Sequence, residues 1–362
     1  MKGGLPLFEI YTRPDHTEII KNIVMDWDGL GLPDIDLTKI NCRIVSPRKQ
    51  GFNSLMTFIF YCNEEPLIVV KAPRYNESKI AVDSLRNEAE TLKSLSKNYG
   101  LKDIIPHLYL YSPVTGVPTL ITGAAKGKMF NEVIDEEEDP ARLDALLTRG
   151  AQLASVFAQI KGHGFLPVDE AFIEKNLRTP LKLVAEYYPQ YIDMIERSVE
   201  TVLSVSPLDE KPVYKYLMHN DFNPWNVVFS ADNKMTIIDW EDASFEGLPF
   251  MDLFNYYSVA HRILFVGENA YSKSRSSDQK KLRINVLLDN YKKNLEEYCK
   301  KTGISVKMAD LFFLVFAANI SAFFVDEKRR SISYADSWVS MLFDVTIPGC
   351  FENFVKRLSV IS

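Results

Sequence analysis

The first third of the chain alternates short apolar runs with polar turns, a pattern typical of an antiparallel sheet. Between residues 80 and 97 the apolar positions instead recur at helical spacing, which predicts one amphipathic helix within this region. A further helix is predicted at residues 15–27, ahead of the sheet. The predicted strands lie at residues 42–45, 55–61, 66–73, 106–110 and 118–122.

The rest of the chain is mostly helical in its pattern. Two strand-like apolar runs around residues 217–229 and 235–239 interrupt it. An acidic run at 135–139 is expected to form a solvated loop, and a polar stretch at 273–278 is expected to form a mobile loop. The acidic run has an alternative interpretation, attraction of a cationic substrate. The predicted helices lie at residues 142–161, 180–204, 254–266, 280–300, 308–326 and 334–343.

The two interrupting runs carry four polar residues, His219, Asp221, Asn226 and Asp239. Transfer of a γ-phosphoryl group needs a carboxylate that orients the attacking hydroxyl and accepts its proton. It also needs oxygen ligands for Mg²⁺, which carboxylate and amide side chains supply. The two strands predicted to carry Asn226 and Asp239 face each other, so these donors can converge. The pattern therefore indicates phosphoryl transfer from ATP.

The spacing of these residues matches that of the protein-kinase catalytic loop, but Asn220 stands where protein kinases have Arg, and Trp240 and Glu241 follow Asp239. No Ala-Pro-Glu segment follows either. The chain more closely resembles the aminoglycoside phosphotransferase and choline kinase family of kinase-like small-molecule kinases. The Ile-Asp-Trp-Glu run ending at Glu241 and the Pro-Phe-Met-Asp-Leu run around Asp252 are similar to motifs of that family.

The resemblance implies an α+β, two-lobed protein-kinase-like fold with a small antiparallel-sheet N-lobe and a larger, mostly helical C-lobe. Residues 1–40 are expected to form an N-terminal extension packed on the N-lobe. Residues 41–125 are expected to form the nucleotide-binding N-lobe. Residues 126–362 then form the C-lobe, with the catalytic loop and the helices that bind the acceptor.

The resemblance also assigns roles in the N-lobe. Lys71, at the end of the third strand, is expected to bind the ATP phosphates and to pair with Glu88 on the inward side of the helix at residues 80–97. The loop before residue 55 stands where the family covers the phosphates, which makes Gly51, Asn53 and Ser54 candidate nucleotide-binding residues. A single glycine in a hairpin is also compatible with an ordinary turn.

In the catalytic region, the resemblance assigns Asp221 as the base and His219 as a residue that orders the loop by hydrogen bonding. Asn226 and Asp239 are the expected Mg²⁺ ligands.

Two further residues are supporting candidates. Asp252 resembles the residue that ties down the catalytic loop in this family. For Glu241, a role linked to the metal and a plain surface carboxylate remain alternatives.

Composition restricts the class of protein. A 46% apolar and 25% charged content in 362 residues is ordinary for a globular enzyme, and a net charge of −6 argues against nucleic-acid binding. The N-terminus lacks a signal-peptide pattern, and residues 311–325 are too short for a membrane span, so a buried helix and no membrane partner are expected. The four cysteines are expected to be free thiols in a reducing, cytoplasmic environment: Cys42, Cys62, Cys299 and Cys350.

The sequence thus predicts an enzyme, a kinase with ATP and Mg²⁺ as cofactors and a small-molecule hydroxyl as acceptor. A sugar, an aminoglycoside, a choline-like amino alcohol or a related metabolite would fit. Aromatic residues at Tyr334, Trp338 and Phe343 are compatible with a choline-type cage, although such spacings also occur in ordinary cores. An atypical protein kinase and a catalytically silent nucleotide-binding scaffold remain alternatives. The pattern does not address oligomeric state.

Overall fold

The computed structural model describes residues 16–45, 54–99, 101–205, 212–267 and 269–328. The chain divides into two compact units. The first unit comprises Met1–Phe130 and Trp225–Ala243, and the second comprises Asn131–Pro224 and Ser244–Ser362. The chain therefore leaves the first unit, builds part of the second, and returns for one short segment. The lobe boundaries expected from the sequence stay a prediction.

The first unit is built on a five-stranded antiparallel sheet with the strand order β1-β2-β3-β5-β4. Its strands are β1 (Ile40–Val45), β2 (Leu55–Cys62), β3 (Glu65–Pro73), β4 (Leu108–Val114) and β5 (Val117–Gly123). All five predicted strands are present, with ends shifted by a few residues. The central strand β3 places Lys71 opposite Thr57 on β2 and Leu120 on β5.

Helix α1 (His16–Met25) covers one face of this sheet. Its buried residues Ile19 and Ile23 pack with Phe58 and Phe60 of β2, and they share one apolar cluster with Trp27. The indole Nε1 of Trp27 donates a 2.8 Å hydrogen bond to the carbonyl of Pro33, which fixes the chain after the helix. The described part of the N-terminal extension is therefore integral to the core of the first unit.

Helix α2 (Lys79–Asn98) covers the opposite face. Ser78 caps its first turn by accepting a hydrogen bond from the backbone N–H of Ala81. Leu85 and Ala89 lie one turn apart on the helix and pack with Leu120 of β5. This packing fixes which side of α2 faces the sheet.

A second, three-stranded sheet belongs to the same unit, with the order β10-β9-β6. Its strands are β6 (Lys128–Met129), β9 (Val227–Phe229) and β10 (Met235–Ile237). The last two form the predicted hairpin around residues 230–234, closed by a 3.0 Å hydrogen bond from the N–H of Ser230 to the carbonyl of Lys234. Gly127 has a φ of +138°, and a Cβ there would lie 2.2 Å from the carbonyl oxygen of Phe229, so this approach requires glycine.

The second unit is mainly helical. Its helices are α3 (Phe130–Glu136, which begins in the first unit), α4 (Pro140–Phe157), α5 (Glu170–Ile173), α6 (Thr179–Tyr187), α7 (Ile192–Val205), α8 (Met251–Val266), α9 (Ala270–Lys273), α10 (Ser277–Thr302) and α11 (Lys307–Lys328). A small sheet with the order β11-β8-β7 accompanies them. Its strands are β7 (Lys161–Leu166), β8 (Val213–Met218) and β11 (Ser244–Gly247).

Two helix predictions were too long. The helix predicted at residues 142–161 ends at Phe157, and Lys161 begins β7. This strand contains two glycines, which are uncommon in strands, so its sequence does not show a strand pattern. The helix predicted at 180–204 is broken between α6 and α7, where Pro189 cannot donate a backbone hydrogen bond. An antiparallel sheet followed by a helical region nevertheless confirms the predicted α+β class.

Aromatic side chains fill the centre of the second unit. Phe250 lies 5.7 Å from Phe254 and 5.6 Å from Phe312, measured between ring centroids. Phe254 in turn contacts Phe313, with centroids 5.3 Å apart. Helix α11 is apolar and buried along its first half, as predicted for residues 311–325.

The acidic run and the polar stretch each contain one buried charged residue, whereas most of their other residues are exposed. Asp135, in the acidic run, is completely buried, and its carboxylate forms a 3.0 Å ion pair with the buried guanidinium of Arg275. Arg275 lies in the polar stretch at residues 273–278, so the prediction of a solvated acidic run is wrong for Asp135. The hydroxyl of Ser272 donates a further 2.8 Å hydrogen bond to Asp135. These residues satisfy one another, so both segments are anchored to the second unit.

Among the described helices, none taken alone has both the length and the apolar composition to cross a membrane. Helices α10 and α11 meet the two criteria only as a pair, and they are bent by 105° where they join. Cys42, Cys62 and Cys299 are free thiols. Cys350, the helix predicted at residues 334–343 and the aromatic residues Tyr334, Trp338 and Phe343 lie outside the described residues.

The burial of His261 makes the stability of the second unit dependent on pH. His261 lies on α8, is almost fully buried and stacks on Phe265 with centroids 5.7 Å apart. Burial lowers the pKa of His261 to about 3. In the unfolded chain His261 takes up a proton near pH 6.5, whereas in the folded chain it stays neutral. The free energy of unfolding is therefore highest above pH 6.5 and falls as the pH is lowered below that value.

We expect protonation of His261 in the unfolded chain to lower the free energy of unfolding by about 2 kcal/mol between pH 7 and pH 5. This figure follows from about 1.4 kcal/mol for each pH unit below the unfolded pKa. Urea unfolding of the wild type and of His261→Phe at both pH values measures it. The variant cannot titrate at this position and should lose about 2 kcal/mol less than the wild type. Equal losses in the two proteins would show that His261 is not the source.

Candidate functional site

The ammonium group of Lys71 lies between two carboxylates of the first unit. Its Nζ is 2.7 Å from Oε2 of Glu88 on α2 and 2.7 Å from Oδ1 of Asp239, which follows β10. The Lys71 side chain is 13% exposed and that of Glu88 is 3% exposed, whereas that of Asp239 is 41% exposed. One cation thus joins a strand, a helix and a turn that are distant in the sequence.

The pleat of β3 and the phase of α2 explain this meeting. Val70 and Ala72, on either side of Lys71, are fully buried in the cluster under α1, so Lys71 points to the opposite face, where α2 packs. Glu88 lies three residues after Leu85, which contacts that face of the sheet. The hydrophobic pattern of both elements therefore directs the two charges towards each other.

The carboxylates keep Lys71 charged. Burial by itself would lower the pKa of Lys71, but the negative charges of Glu88, Asp239 and Glu241 outweigh it and raise the pKa well above its ordinary value. Lys71 is therefore protonated throughout the physiological range. It can act as a fixed positive charge, which is the form that binds phosphate oxygens.

Asp239 sits in a turn with a left-handed backbone, at a φ of +69°. Such a conformation is uncommon for residues other than glycine, although Asp and Asn tolerate it best. The N–H of Ile238 donates a 2.9 Å hydrogen bond to the carbonyl of Asn226, and the buried indole of Trp240 donates one of 2.9 Å to the carbonyl of Ile237. These bonds fix the turn, and the first of them joins Ile238 to Asn226, the residue directly before β9.

Three carboxylates converge at this turn. Oxygen atoms of Glu88, Asp239 and Glu241 all lie within 4.8 Å of one another. Burial, and then the charge of Asp239, raises the pKa of Glu241 to about 7. Burial likewise raises the pKa of the neighbouring Asp242. Glu241 is therefore not an isolated surface carboxylate.

The donor set fits a hard divalent cation. Glu88, Asp239 and Glu241 carry three negative charges when ionised and Lys71 carries one positive charge, so the group attracts a dication. Oxygen ligands of this kind suit Mg²⁺, which keeps several waters and shares phosphate oxygens with its substrate. Asn226, directly before β9, carries an amide oxygen of the same chemical type.

Asn87 has a contact that the sequence analysis missed. Its Nδ2 donates hydrogen bonds of 2.8 Å to the carbonyl of Glu241 and 3.0 Å to the carbonyl of Ala243. An asparagine in an amphipathic helix ordinarily indicates a solvated position, so the position of Asn87 in the hydrophobic pattern of α2 does not predict this contact. Its position next to Glu88 is the only hint in the sequence.

In the second unit, Asp252 on α8 holds the backbone of the predicted catalytic loop. One of its oxygens accepts a 2.7 Å hydrogen bond from the N–H of His219 and the other accepts one of 3.1 Å from the N–H of Asn220. Asn220 has a φ of +69°, which these bonds help to stabilise. Burial raises the pKa of Asp252 to about 7, against the opposing effect of both N–H donors.

The same helix contacts the loop again at its apex. Asn255 Nδ2 donates a 3.3 Å hydrogen bond to the carbonyl of Phe222. The Phe222 ring is fully buried and lies 5.7 Å from Tyr256 and 5.3 Å from Phe157, between centroids. His219 is also fully buried, with its ring 6.2 Å from that of Phe222.

The carboxylate of Asp221 lies on this anchored loop. Asn223 Nδ2 donates hydrogen bonds of 2.8 Å to Oδ1 of Asp221 and 3.0 Å to its carbonyl. The side chain of Asn223 is almost fully buried, so it restricts the orientation of the carboxylate. Asn223 is a second residue that the sequence analysis missed.

The candidates from the sequence thus fall into two groups. Lys71, Glu88, Asp239 and Glu241 meet in the first unit, and Asn226 is joined to the same turn through its backbone carbonyl. His219, Asp221 and Asp252 belong to the second unit.

Of the three residues predicted to bind nucleotide in the loop before β2, only Ser54 lies within the described residues. Ser54 is bound to Arg74, whose Nε donates a 2.9 Å hydrogen bond to its hydroxyl. Gly51 and Asn53 lie outside the described residues. The functional roles of all these residues stay predictions.

Comparisons with known proteins identify the family and the fold of the chain. The model of the phosphotransferase enzyme family (APH) matches residues 61–269. The structure of the GDP complex of wild-type aminoglycoside 2'-phosphotransferase-IIIa is similar to this chain with a TM-score of 0.53 and 14% identity, over 96% of this chain and 99% of that one. ADP-bound aminoglycoside phosphotransferase APH(2'')-Ib gives a TM-score of 0.50 and 17% identity, over 95% and 97%. The search of curated proteins found no match.

These findings confirm the predicted resemblance, the kinase-like fold and the enzyme class, a phosphotransferase with an alcohol group as acceptor. At such low identity the two solved structures support the fold alone. The family model covers more than half of the 362 residues and includes Lys71, Glu88, Asp221 and Asp239. The chain belongs to the phosphotransferase enzyme family.

Proposed function

We propose that this enzyme transfers the γ-phosphoryl group of ATP to a hydroxyl group of a small molecule, with Mg²⁺ as the metal cofactor. The observation that carries the proposal is the ion pair of Lys71 with Glu88 and Asp239 in a member of a phosphotransferase family. A charged lysine beside convergent carboxylates is the arrangement that phosphoryl transfer requires for a nucleotide and its metal.

In this proposal the first unit binds the nucleotide. Lys71 binds phosphate oxygens, and Glu88 keeps the ammonium group in place. Asp239 and Asn226 hold the cation, and Glu241 supports the same site. When bound, Mg²⁺ neutralises charge on the phosphates.

The second unit supplies the base. Asp221 accepts the proton of the acceptor hydroxyl, and its orientation depends on Asn223 and on the loop anchored by Asp252. His219 contributes through its backbone N–H and its buried ring rather than as a base. A rigid loop supports this role, because a general base must lie within hydrogen-bonding reach of the proton that it removes.

The acceptor is proposed only as a class: a sugar, an aminoglycoside, a choline-like amino alcohol or a related metabolite. Likeness of fold does not select among them. The nucleotide is proposed as ATP, although the two solved structures are complexes with ADP and with GDP. The cytoplasmic location and the lack of nucleic-acid and membrane partners stay predictions.

Nucleotide consumption by the purified protein tests the proposal. ATP and GTP are each supplied with Mg²⁺ and with sugars, aminoglycosides, choline, ethanolamine and homoserine in turn. Turnover that depends on one of these acceptors supports a small-molecule kinase and names the acceptor class. Tight nucleotide binding without turnover would favour a silent scaffold, and transfer to protein substrates alone would favour an atypical protein kinase.

Removal of the proposed base should stop the chemistry and spare nucleotide binding. We expect Asp221→Asn to lower kcat by at least about a hundredfold, within the range for loss of a general base. Its affinity for ATP, measured by calorimetry, should change little, because the base acts on the acceptor. Asp232→Asn, in the exposed turn after β9, is the matched control and should behave as the wild type. Near-normal turnover by Asp221→Asn would exclude Asp221 as the base.

Asp239→Asn should have the opposite signature. Asparagine tolerates the left-handed backbone at this position, so the turn should keep its shape while the site loses one negative charge. We expect the affinity for ATP with Mg²⁺ to fall about tenfold or more, and the affinity for ATP without a metal to change far less. Equal losses with and without the metal would contradict the assignment of Asp239 as a ligand.

Asp252→Asn should uncouple the catalytic loop from α8. Asparagine keeps one acceptor oxygen and turns an amide group towards the second backbone N–H, which leaves a buried donor unsatisfied at a cost of about 1–3 kcal/mol. We expect a lower melting temperature and a kcat at least about tenfold lower, with the KM for ATP little changed. Asp289→Asn, at an exposed position on α10, is the control. An unaltered kcat would show that the anchor is dispensable.

A further inference from the structure

Helix α2 is bonded to the turn after β10 by two adjacent side chains. Glu88 accepts hydrogen bonds from Lys71 and from the backbone of Trp240. Asn87, one residue earlier, uses both hydrogens of its side-chain amide on the carbonyls of Glu241 and Ala243. The helix is therefore hydrogen-bonded to the backbone on both sides of Asp242.

The contact is specific in its chemistry. The two partner carbonyls belong to residues 154 and 156 positions later in the chain, so the bonds are tertiary and not local to the helix. An amide group with two donors at a fixed angle matches two carbonyls that point to one place. An aspartate of the same shape would offer no donor and would add a charge beside Glu241.

The contact also bears directly on the carboxylates. The peptide groups that Asn87 binds are those of Glu241 itself and of Ala243, two residues further on. The Glu241 peptide group fixes the backbone from which the Glu241 side chain extends, and one carboxylate oxygen of Glu241 lies within 4.8 Å of one from Glu88 and one from Asp239. Residues that orient the ligands of a metal site typically change its metal affinity about 10- to 100-fold when they are substituted.

We infer that Asn87 is a positioning residue for the cation site of the first unit: it sets the geometry of Glu241 and Asp239 by holding the carbonyls of Glu241 and Ala243. The inference rests on the proposed function, because it takes these carboxylates to hold the metal. Asn87 itself touches neither nucleotide nor cation in this account. Through it, the placement of α2 controls the shape of the cation site as well as the position of Lys71.

Titration with Mn²⁺ in the presence of ADP, followed by electron paramagnetic resonance, tests the inference on the full chain. We expect Asn87→Ala to weaken Mn²⁺ binding about tenfold, the lower end of the range for outer residues of metal sites. Asn87→Asp should weaken it by at least as much. Alanine favours the helix more than asparagine does, so α2 itself should not be weakened by the first substitution.

Two controls separate positioning from general damage. Glu90→Ala changes an exposed residue of the same helix and should bind Mn²⁺ as the wild type does. The affinity of Asn87→Ala for ADP without a metal should stay within about twofold of the wild type, since the proposed ammonium contact of Lys71 is retained. An equal fall in metal-free ADP affinity and in Mn²⁺ affinity would reveal a merely structural role and overturn the inference.

Asp239→Asn in the same titration distinguishes the inference from the function on which it rests. If Asp239→Asn binds Mn²⁺ weakly and Asn87→Ala binds it as the wild type does, the positioning role is wrong and the cation site stands. If Asp239→Asn also binds Mn²⁺ as the wild type does, the proposed cation site fails, and the role of Asn87 fails with it.

Discussion

The salt bridges of Lys71 with Glu88 and Asp239 are the interaction on which the first unit depends. Three carboxylates within 4.8 Å of one another repel unless a positive charge compensates them, and the Lys71 ammonium is bonded to two of the three. Lys71 and Glu88 are both largely buried, and loss of one partner of a buried pair leaves an uncompensated charge, which typically costs about 3–5 kcal/mol. The central strand, helix α2 and the turn after β10 must therefore all be in place for the site to exist.

The second unit applies a different constraint, anchoring of the backbone. Three residues on one side of α8, Asp252, Asn255 and Tyr256, contact the loop that carries Asp221 at its two N–H groups, a carbonyl and a ring. The loop contains a left-handed Asn220, a conformation that needs support from its surroundings. A carboxylate on such a loop is held by hydrogen bonds and packing rather than by opposite charges.

The sequence predicted the strand and helix that carry Lys71 and Glu88, because both follow simple hydrophobic periods. It also predicted the hairpin between Asn226 and Asp239, where residue type and spacing carry the signal. It did not predict that Asp135 is buried with Arg275. A run of like charges is usually exposed to solvent, and its exceptions are defined by partners that are distant in the sequence.

The contacts of Asn87 and Asn223 escaped prediction for a related reason. A side-chain amide that binds backbone carbonyls leaves no trace in periodicity or composition, and its partner is defined only by the tertiary structure. The break between α6 and α7 and the strand β7 were missed because local proline and glycine effects override the longer pattern.

The coupling between Lys71 and Glu88 tests the central claim most directly. A double-mutant cycle with Lys71→Met, Glu88→Gln and the combined variant, measured as the affinity for ADP with Mg²⁺, gives that coupling. If the two residues act as one unit, the second substitution costs little once the first is present, and the cycle is non-additive by more than about 1 kcal/mol. Additive losses would mean that Lys71 and Glu88 act independently, and would contradict this account of the site.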